Sequence, residues 1–129
     1  MAALLLLLLF VAPLTFAQEL VFTGVPSVRI DADGKQSIKV DLSEQGAEKY
    51  TCRITKKGKR YYWASRGDRE LIRSDAGDFV YFISMAGTGY VKVHSGTTPQ
   101  PFDYMEHLTS GFTNITYWGS SKEGLLQKK

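Results

Sequence analysis

A chain of 129 residues, of which 43% are hydrophobic and 22% charged, has room for one domain and excludes two of ordinary size. Cys52 is the only cysteine, which excludes an intramolecular disulfide and leaves the core to stabilise the fold. The net charge is +3, but residues 49–73 hold nine basic and two acidic residues and are net +7, which leaves −4 elsewhere. This concentration of positive charge indicates polyanions as candidate partners and does not bear on the fold.

The N-terminal segment is typical of a cleaved signal peptide. A leucine run, Leu4 to Leu9, ends shortly before Pro13, and Thr15-Phe16-Ala17 then favours cleavage before Gln18. The apolar run is shorter than the roughly 20 residues of a membrane span, but no basic residue precedes it, so an uncleaved anchor is the alternative. We expect an exported protein, periplasmic or secreted, from which residues 1–17 are removed.

The next segment predicts a β-hairpin at the start of a single β-rich domain, residues 18–119. Polar and apolar residues alternate in Ser27–Asp31 and again in Ser37–Leu42. Asp31–Gly34 supplies the turn between them, because aspartate and glycine tolerate tight turns. The remaining acidic ligands of a calcium loop are absent from the required positions, so we interpret this segment as a turn only.

A second hairpin is predicted from Tyr50–Thr55 and Arg60–Ala64, joined by the turn at residues 56–59. The two-residue period of a strand places Cys52 on the same face as its apolar neighbours Tyr50 and Ile54. We therefore expect a buried, unreactive thiol rather than a nucleophile.

The rest of the domain continues the pattern of short apolar runs separated by glycine. Phe79–Ile83 is apolar on both faces, as expected of a central strand, and Tyr90–His94 follows the turn at residues 87–89. Two prolines predict a loop over residues 95–101. Phe102, Met105 and Leu108 have helical spacing, which predicts a short helix over residues 102–108.

Phe112–Trp118 predicts a last strand, and residues 120–129 a polar C-terminal tail. About seven short antiparallel strands then make an all-β domain. The sequence leaves open whether the strands form a small barrel or a two-sheet sandwich.

The second hairpin is the strongest candidate for binding, because cations and aromatic rings are concentrated there. Such residues attract polyanions by charge and by stacking. The candidate partners are an anionic glycan and an envelope or extracellular protein, and export argues against nucleic acid. In the alternative interpretation, the lysines only keep a solvated turn and an edge strand soluble. The candidate binding residues are Lys56, Lys57, Lys59, Arg60, Tyr62, Trp63 and Arg66.

The second function class is a small hydrolase or metal-dependent enzyme. On a helix over 102–108, Asp103 would share a face with Glu106 and His107, and His94 could approach from a neighbouring strand. These side chains could ligate zinc or form a carboxylate-oriented histidine base. Their spacing is not diagnostic and also fits a solvated acidic helix face. The sequence therefore favours a non-enzymatic binding module without metal or cofactor.

Two short motifs in the sequence match known recognition and modification signals. Arg66-Gly67-Asp68 is the tripeptide that integrins bind in adhesion proteins, and it also fits an ordinary charged turn. Asn114-Ile115-Thr116 is an N-glycosylation sequon, which requires an outward-facing Asn114.

Overall fold

A computed structural model describes residues 17–123, which form nine β-strands and three short helical turns. The predicted signal peptide, except Ala17, and residues 124–129 of the predicted tail lie outside the described residues. Within residues 17–123, no helix has the length and apolarity needed to cross a membrane. In chain order the elements are β1 (Gln18–Ala32), β2 (Ser37–Asp41), α1 (Glu44–Ala47), a 3₁₀ turn (Glu48–Tyr50), β3 (Cys52–Lys57), β4 (Arg60–Trp63), a second 3₁₀ turn (Ala64–Arg66), β5 (Arg69–Ala76), β6 (Phe79–Ser84), β7 (Gly89–His94), β8 (Tyr104–Ser110) and β9 (Thr113–Glu123).

The strands form a closed antiparallel barrel. Each of β3 to β8 pairs with the next strand along the chain, and β9 returns to pair with β1, which also pairs with β3. Eight strands therefore form the barrel, and β2 is an additional strand on the edge of β1. Of the two predicted architectures, the small barrel is confirmed and the two-sheet sandwich is wrong.

The 15-residue strand β1 is what allows the barrel to close. Its N-terminal half pairs with β3, its C-terminal half pairs with β2, and β9 pairs with both halves. The register with β9 shifts between Pro26 and Val28, so the proline lies at a bulge, where a missing backbone N–H is tolerated. At Gly119 of β9, an added Cβ would lie 2.2 Å from the Val25 carbonyl oxygen, so the two backbones approach closely there.

Both predicted hairpins are confirmed. β1 and β2 pair through the turn at residues 33–36, where Asp33 Oδ1 accepts hydrogen bonds from the backbone N–H groups of Lys35 and Gln36. β3 and β4 pair with Ile54 opposite Trp63 at one end and Lys57 opposite Arg60 at the other. Gly58 in their turn has a positive φ of 61°. The predicted strands at 79–83, 90–94 and 112–118 correspond to β6, β7 and β9.

The predicted helix over residues 102–108 is wrong, because most of this segment belongs to strand β8. Tyr104 and Glu106 are buried, whereas Met105 between them is only partly buried, which is the alternation of a strand. Residues 120–123 also differ from the expected tail, since β9 continues to Glu123.

The core fills the barrel interior, as expected for eight strands, whose interior is just wide enough for side chains. Among the described residues the core includes Phe22, Ile54, Trp63, Phe82 and Val91, each at most 1% exposed. Cys52 is fully buried beside them, as predicted. The outward side chains have no second layer: Ile83 of β6 is 43% exposed, so β6 is apolar on both faces although only one is covered.

Successive antiparallel connections alternate between the two ends of a barrel, which fixes the placement of the loops. We call one end the hairpin end; it carries the turns at 58–59 and 77–78 and the loop at 95–103. The other, the Arg66 end, carries the turn at 64–68 and the turns at 85–88 and 111–112.

Candidate functional site

The hairpin end presents cations on the outside of the barrel. On β3, Arg53 lies between the buried residues Cys52 and Ile54 near the Arg66 end, and Lys57 is the last residue of the strand at the hairpin turn; both are exposed. Lys59 in the turn and Arg60, which pairs in register with Lys57, are also exposed. We call Arg53, Lys57, Lys59 and Arg60 the hairpin cation face. Because a strand rises about 3.3 Å per residue, this face extends for about 13 Å along β3.

The hairpin cation face has little counter-charge. Arg60 Nε lies 3.8 Å from Glu70 Oε1, and the two side chains are 70% and 39% exposed. A pair of this kind contributes only about 0–1 kcal/mol. Within residues 17–123 the other three cations have no ion pair. The face therefore retains most of its positive charge for an external partner.

Tyr62 lies next to this face, whereas Lys56 does not. Tyr62 is partly buried on the outer surface and pairs in register with Thr55 and Glu70. Lys56 belongs to the opposite side of β3, where its Nζ lies 5.6 Å from the centroid of the Tyr61 ring. Of the predicted binding residues, Lys57, Lys59, Arg60 and Tyr62 thus share one surface.

Trp63 and Arg66, also predicted to bind a partner, lie elsewhere. Trp63 is fully buried, and its Nε1 donates a 3.0 Å hydrogen bond to Glu106 Oε1. Arg66 donates from Nε to Oε1 at 2.9 Å and from Nη2 to Oε2 at 3.0 Å of the same carboxylate. Both residues therefore satisfy a buried acid inside the barrel, which sets them apart from the hairpin cation face.

This internal ion pair is stabilised by bidentate geometry. A buried carboxylate is costly unless its oxygens are paired and hydrogen-bonded, and Glu106 receives three donors although it is 0% exposed. Burial by itself lowers the pKa of Arg66, but the hydrogen bonds and charge of Glu106 outweigh it and the pKa is raised. The Arg66 side chain is therefore held in its charged form.

An aromatic and cationic stack continues from this pair at the Arg66 end. The Arg66 guanidinium carbon lies 5.5 Å from the centroid of the Tyr117 ring, and that of Arg29 lies 5.7 Å from it. Arg29 also lies 5.3 Å from the Tyr50 ring and pairs with Asp31 at 2.7 Å. Cation–π contacts of this length hold the arginines in fixed positions.

Cys52 is unsuited to nucleophilic chemistry. Burial raises the pKa of its thiol well above the usual range, and the negative charge of Glu106 adds to the effect. The neighbouring Tyr104 is 2% exposed, burial raises the pKa of its phenol, and its hydroxyl has no hydrogen-bond partner among the described residues. Both groups stay protonated and belong to the core.

The four residues of the predicted enzyme site do not form one cluster, although His94 and Asp103 are neighbours: the His94 backbone N–H donates to the Asp103 carbonyl oxygen at 2.8 Å, and both residues line one cavity. Glu106 faces the interior, whereas His107 points outward on the same strand, stacks on Tyr90 and has its Nδ1 2.9 Å from Thr116 Oγ1. His94 stacks on Phe79, on the outside of β7. Asp103 Oδ2 accepts a 2.9 Å hydrogen bond from the Ser121 backbone N–H.

Metal coordination by this set has no support in the described residues. Within residues 17–123, no three His, Cys, Asp or Glu side chains are grouped so that they could hold a metal ion.

The two short motifs also acquire positions. In the Arg66-Gly67-Asp68 tripeptide, Gly67 has a positive φ of 70°. The Arg66 guanidinium binds Glu106 inside the barrel, so it is not presented on the surface as integrin binding would require. Asn114 is partly buried on β9, opposite Ala32 and Thr109.

The sequence singles out Trp63, Arg66 and Glu106, but it places Trp63 and Arg66 in the predicted binding site and Glu106 in the alternative enzyme site. The two-residue period of the strands could have indicated that Trp63 is buried. Cys52 and Ile54 share one face of β3, and Trp63 lies directly opposite Ile54 in the hairpin register. A predicted hairpin therefore already placed Trp63 on the buried face. The ion pair itself joins residues 40 positions apart and leaves no local pattern.

Within residues 17–123, fold and surface together define a closed eight-stranded antiparallel barrel with a filled core and a basic face that has little counter-charge. The chain matches no protein-family model, and no curated protein or solved structure is significantly similar to it.

Proposed function

We propose that this protein is a non-enzymatic binding module that holds a polyanionic partner, with an anionic glycan as the ligand, at the hairpin cation face. The observation that carries the proposal is the exposure of Arg53, Lys57, Lys59 and Arg60 on one surface with a single weak counter-charge. Surface cations without acidic partners bind polyanions because each contact releases condensed counterions.

The shape of the surface supports a linear ligand. The cations extend for about 13 Å along a rigid hairpin, so an extended chain of repeated negative charges can contact several of them at once. Pre-positioned cations on a strand pair lose less conformational freedom on binding than cations on a mobile tail. Tyr62 adds a partly exposed ring beside the charges, against which a sugar ring can pack.

The core supports a surface ligand rather than one enclosed in the barrel. Trp63, Phe22 and Phe82 are among the largest fully buried side chains and occupy the interior. Glu106 is buried with them, and its carboxylate is bound by Arg66 of this chain.

Titration calorimetry of the purified protein with heparin, with poly-L-glutamate and with uncharged dextran tests this function. Heparin is expected to bind most tightly and dextran not at all. The variant Lys57→Gln/Lys59→Gln/Arg60→Gln should lose about 100-fold in heparin affinity, because three cations that each contribute on the order of 1 kcal/mol together contribute about 3 kcal/mol.

The matched control is Lys35→Gln/Lys39→Gln/Lys122→Gln, which removes the same charge from exposed positions elsewhere. It should bind heparin within about threefold of the unmodified protein. Equal losses in the two triple variants would mean that net charge alone accounts for binding, and the proposed site would be wrong. If polyglutamate bound more tightly than heparin, the proposed ligand would be wrong, and an acidic protein would be the partner instead of an anionic glycan.

A further inference from the structure

A cavity at the Arg66 end of the barrel combines positive charge with an apolar wall. Its volume is about 320 Å³, and it lies between the turn that carries Arg66 and the paired ends of β8 and β9. Arg66 and Arg69 line one side, and Leu108 and Ile115, which pair in register, line the other. Barrel mouths are common positions for small-ligand sites, and the volume falls at the lower end of the usual range.

The charges around this cavity are not balanced. The Arg66–Glu106 ion pair has no net charge. Arg66 donates to the Glu106 carboxylate from Nε and Nη2, so the other N–H groups of its guanidinium do not bind this carboxylate. Arg69 is exposed and has no ion pair within residues 17–123. Among residues 17–123, no acidic side chain lines the cavity. A net positive charge therefore faces it, and an anionic group is the ligand chemistry that fits.

The remaining lining limits the rest of the ligand. Leu108 and Ile115 give an apolar surface, while the hydroxyls of Thr88 and Thr113 lie among the polar groups at the rim. Because a water occupies about 30 Å³, the volume corresponds to roughly ten heavy atoms. A fully polar anion such as phosphate would leave the aliphatic side chains without contacts, whereas a short amphipathic acid would cover them.

We propose that this cavity binds a small organic carboxylate. Its carboxylate accepts hydrogen bonds from Arg69 and from the unused donors of Arg66, and its apolar part packs on Leu108 and Ile115. Arg66 is held in place for this contact by its bidentate bond to the buried Glu106. The site lies at the opposite end of the barrel from Lys57, Lys59 and Arg60, which carry the proposed polyanion site at the hairpin turn, so the two proposals are tested separately.

Calorimetric titration of the purified protein with octanoate, octanol and octylammonium tests the site, since the three probes differ only in the headgroup. Octanoate is expected to bind, octanol at least tenfold more weakly, and octylammonium not detectably. Arg69→Gln should weaken octanoate about tenfold, because it removes a charge-assisted hydrogen bond from an exposed residue without disturbing the core.

Lys122→Gln is the matched control, because it removes one exposed cation that does not line the cavity and should leave octanoate affinity unchanged. Equal affinity for octanoate and octanol would overturn the proposal, as would unchanged octanoate binding in Arg69→Gln or the absence of octanoate binding at millimolar concentration. Heparin binding by Arg69→Gln is measured in parallel and should be retained, so that failure of one site is distinguished from failure of the other.

Discussion

Arg66 and Glu106 form a bidentate ion pair inside the barrel, with N–O distances of 2.9 and 3.0 Å, although 40 positions separate them in the sequence. Arg66 lies in the turn between β4 and β5, and Glu106 lies on β8. The pair therefore fixes this turn against the opposite wall of the barrel. It also allows a fully buried carboxylate in a core that is otherwise mostly apolar.

Replacement of Arg66 by methionine is expected to destabilise the protein by about 3 to 5 kcal/mol, because Glu106 is then buried without a cation. The double variant Arg66→Met/Glu106→Gln should recover much of this loss, since no uncompensated charge is left. Urea unfolding at neutral pH gives the free energies of unfolding for the cycle. Additive losses in the single and double variants would show that the pair is not coupled in solution. Arg69→Gln, at an exposed arginine of the same turn region, is the control and should change stability little.

The buried thiol predicts a dependence of stability on pH. Burial raises the pKa of Cys52 in the folded protein, whereas the unfolded thiol titrates near about 8.5. The unfolded state therefore loses its proton first, and the contribution of Cys52 to stability is full below this pH and is lost as the pH rises. Between about pH 7.5 and pH 9.5 the loss is about 1.4 kcal/mol.

Urea unfolding of the unmodified protein and of Cys52→Ala at both pH values measures this contribution. The alanine variant should lose about 1.4 kcal/mol less over the interval. Parallel pH profiles for the two proteins, or rapid modification of Cys52 by a thiol reagent in the native state, would contradict the burial of the thiol.

Barrel closure is tested at Gly119, where β9 meets β1. A Cβ at this position would lie 2.2 Å from the Val25 carbonyl oxygen and 2.5 Å from the Pro26 Cα. Because both neighbours are backbone atoms, Gly119→Ala must separate the two strands and should cost about 1 to 3 kcal/mol.

Gly34→Ala serves as the control, because no atom lies within 4 Å of a Cβ added in that exposed turn. Thermal unfolding of the two variants gives the comparison. A Gly119→Ala variant as stable as Gly34→Ala would mean that β1 and β9 do not approach closely and that the barrel is open there.

Much of the fold could be predicted from local chemistry. The turn at Asp33 and Gly34 and the turn at Gly58 place both hairpins correctly, because turn residues and two-residue alternation act over a few positions. Closure could not be predicted in this way. It depends on the pairing of β1 with β9, whose residues are some 90 positions apart.

The helix predicted over residues 102–108 failed for a physical reason. With Glu106 assumed to be solvated, the segment lacks the alternation of a strand, and the spacing of Phe102, Met105 and Leu108 suggests a helix. Glu106 can occupy an inward position only because Arg66 and Trp63 satisfy its carboxylate. The evidence for a strand therefore lies in residues that are distant in the sequence.

Only part of the candidate site could be predicted, because the environment of some of its residues depends on contacts with distant parts of the chain. Lys57, Lys59 and Arg60 belong to a turn whose exposure follows from local sequence. Trp63 and Arg66 are close to them in the sequence, but their environment is set by the buried acid on β8. The composition of the segment gives its net charge, but it does not distinguish the exposed cations from Trp63 and Arg66, which bind the buried acid.

The salt dependence of heparin binding tests the proposed function most directly. If Lys57, Lys59 and Arg60 contact the polyanion, the slope of log affinity against log salt concentration should fall in magnitude by about 2 to 3 in the triple glutamine variant. The control variant at Lys35, Lys39 and Lys122 should keep the slope of the unmodified protein. An equal slope in all three proteins would contradict binding at the hairpin cation face.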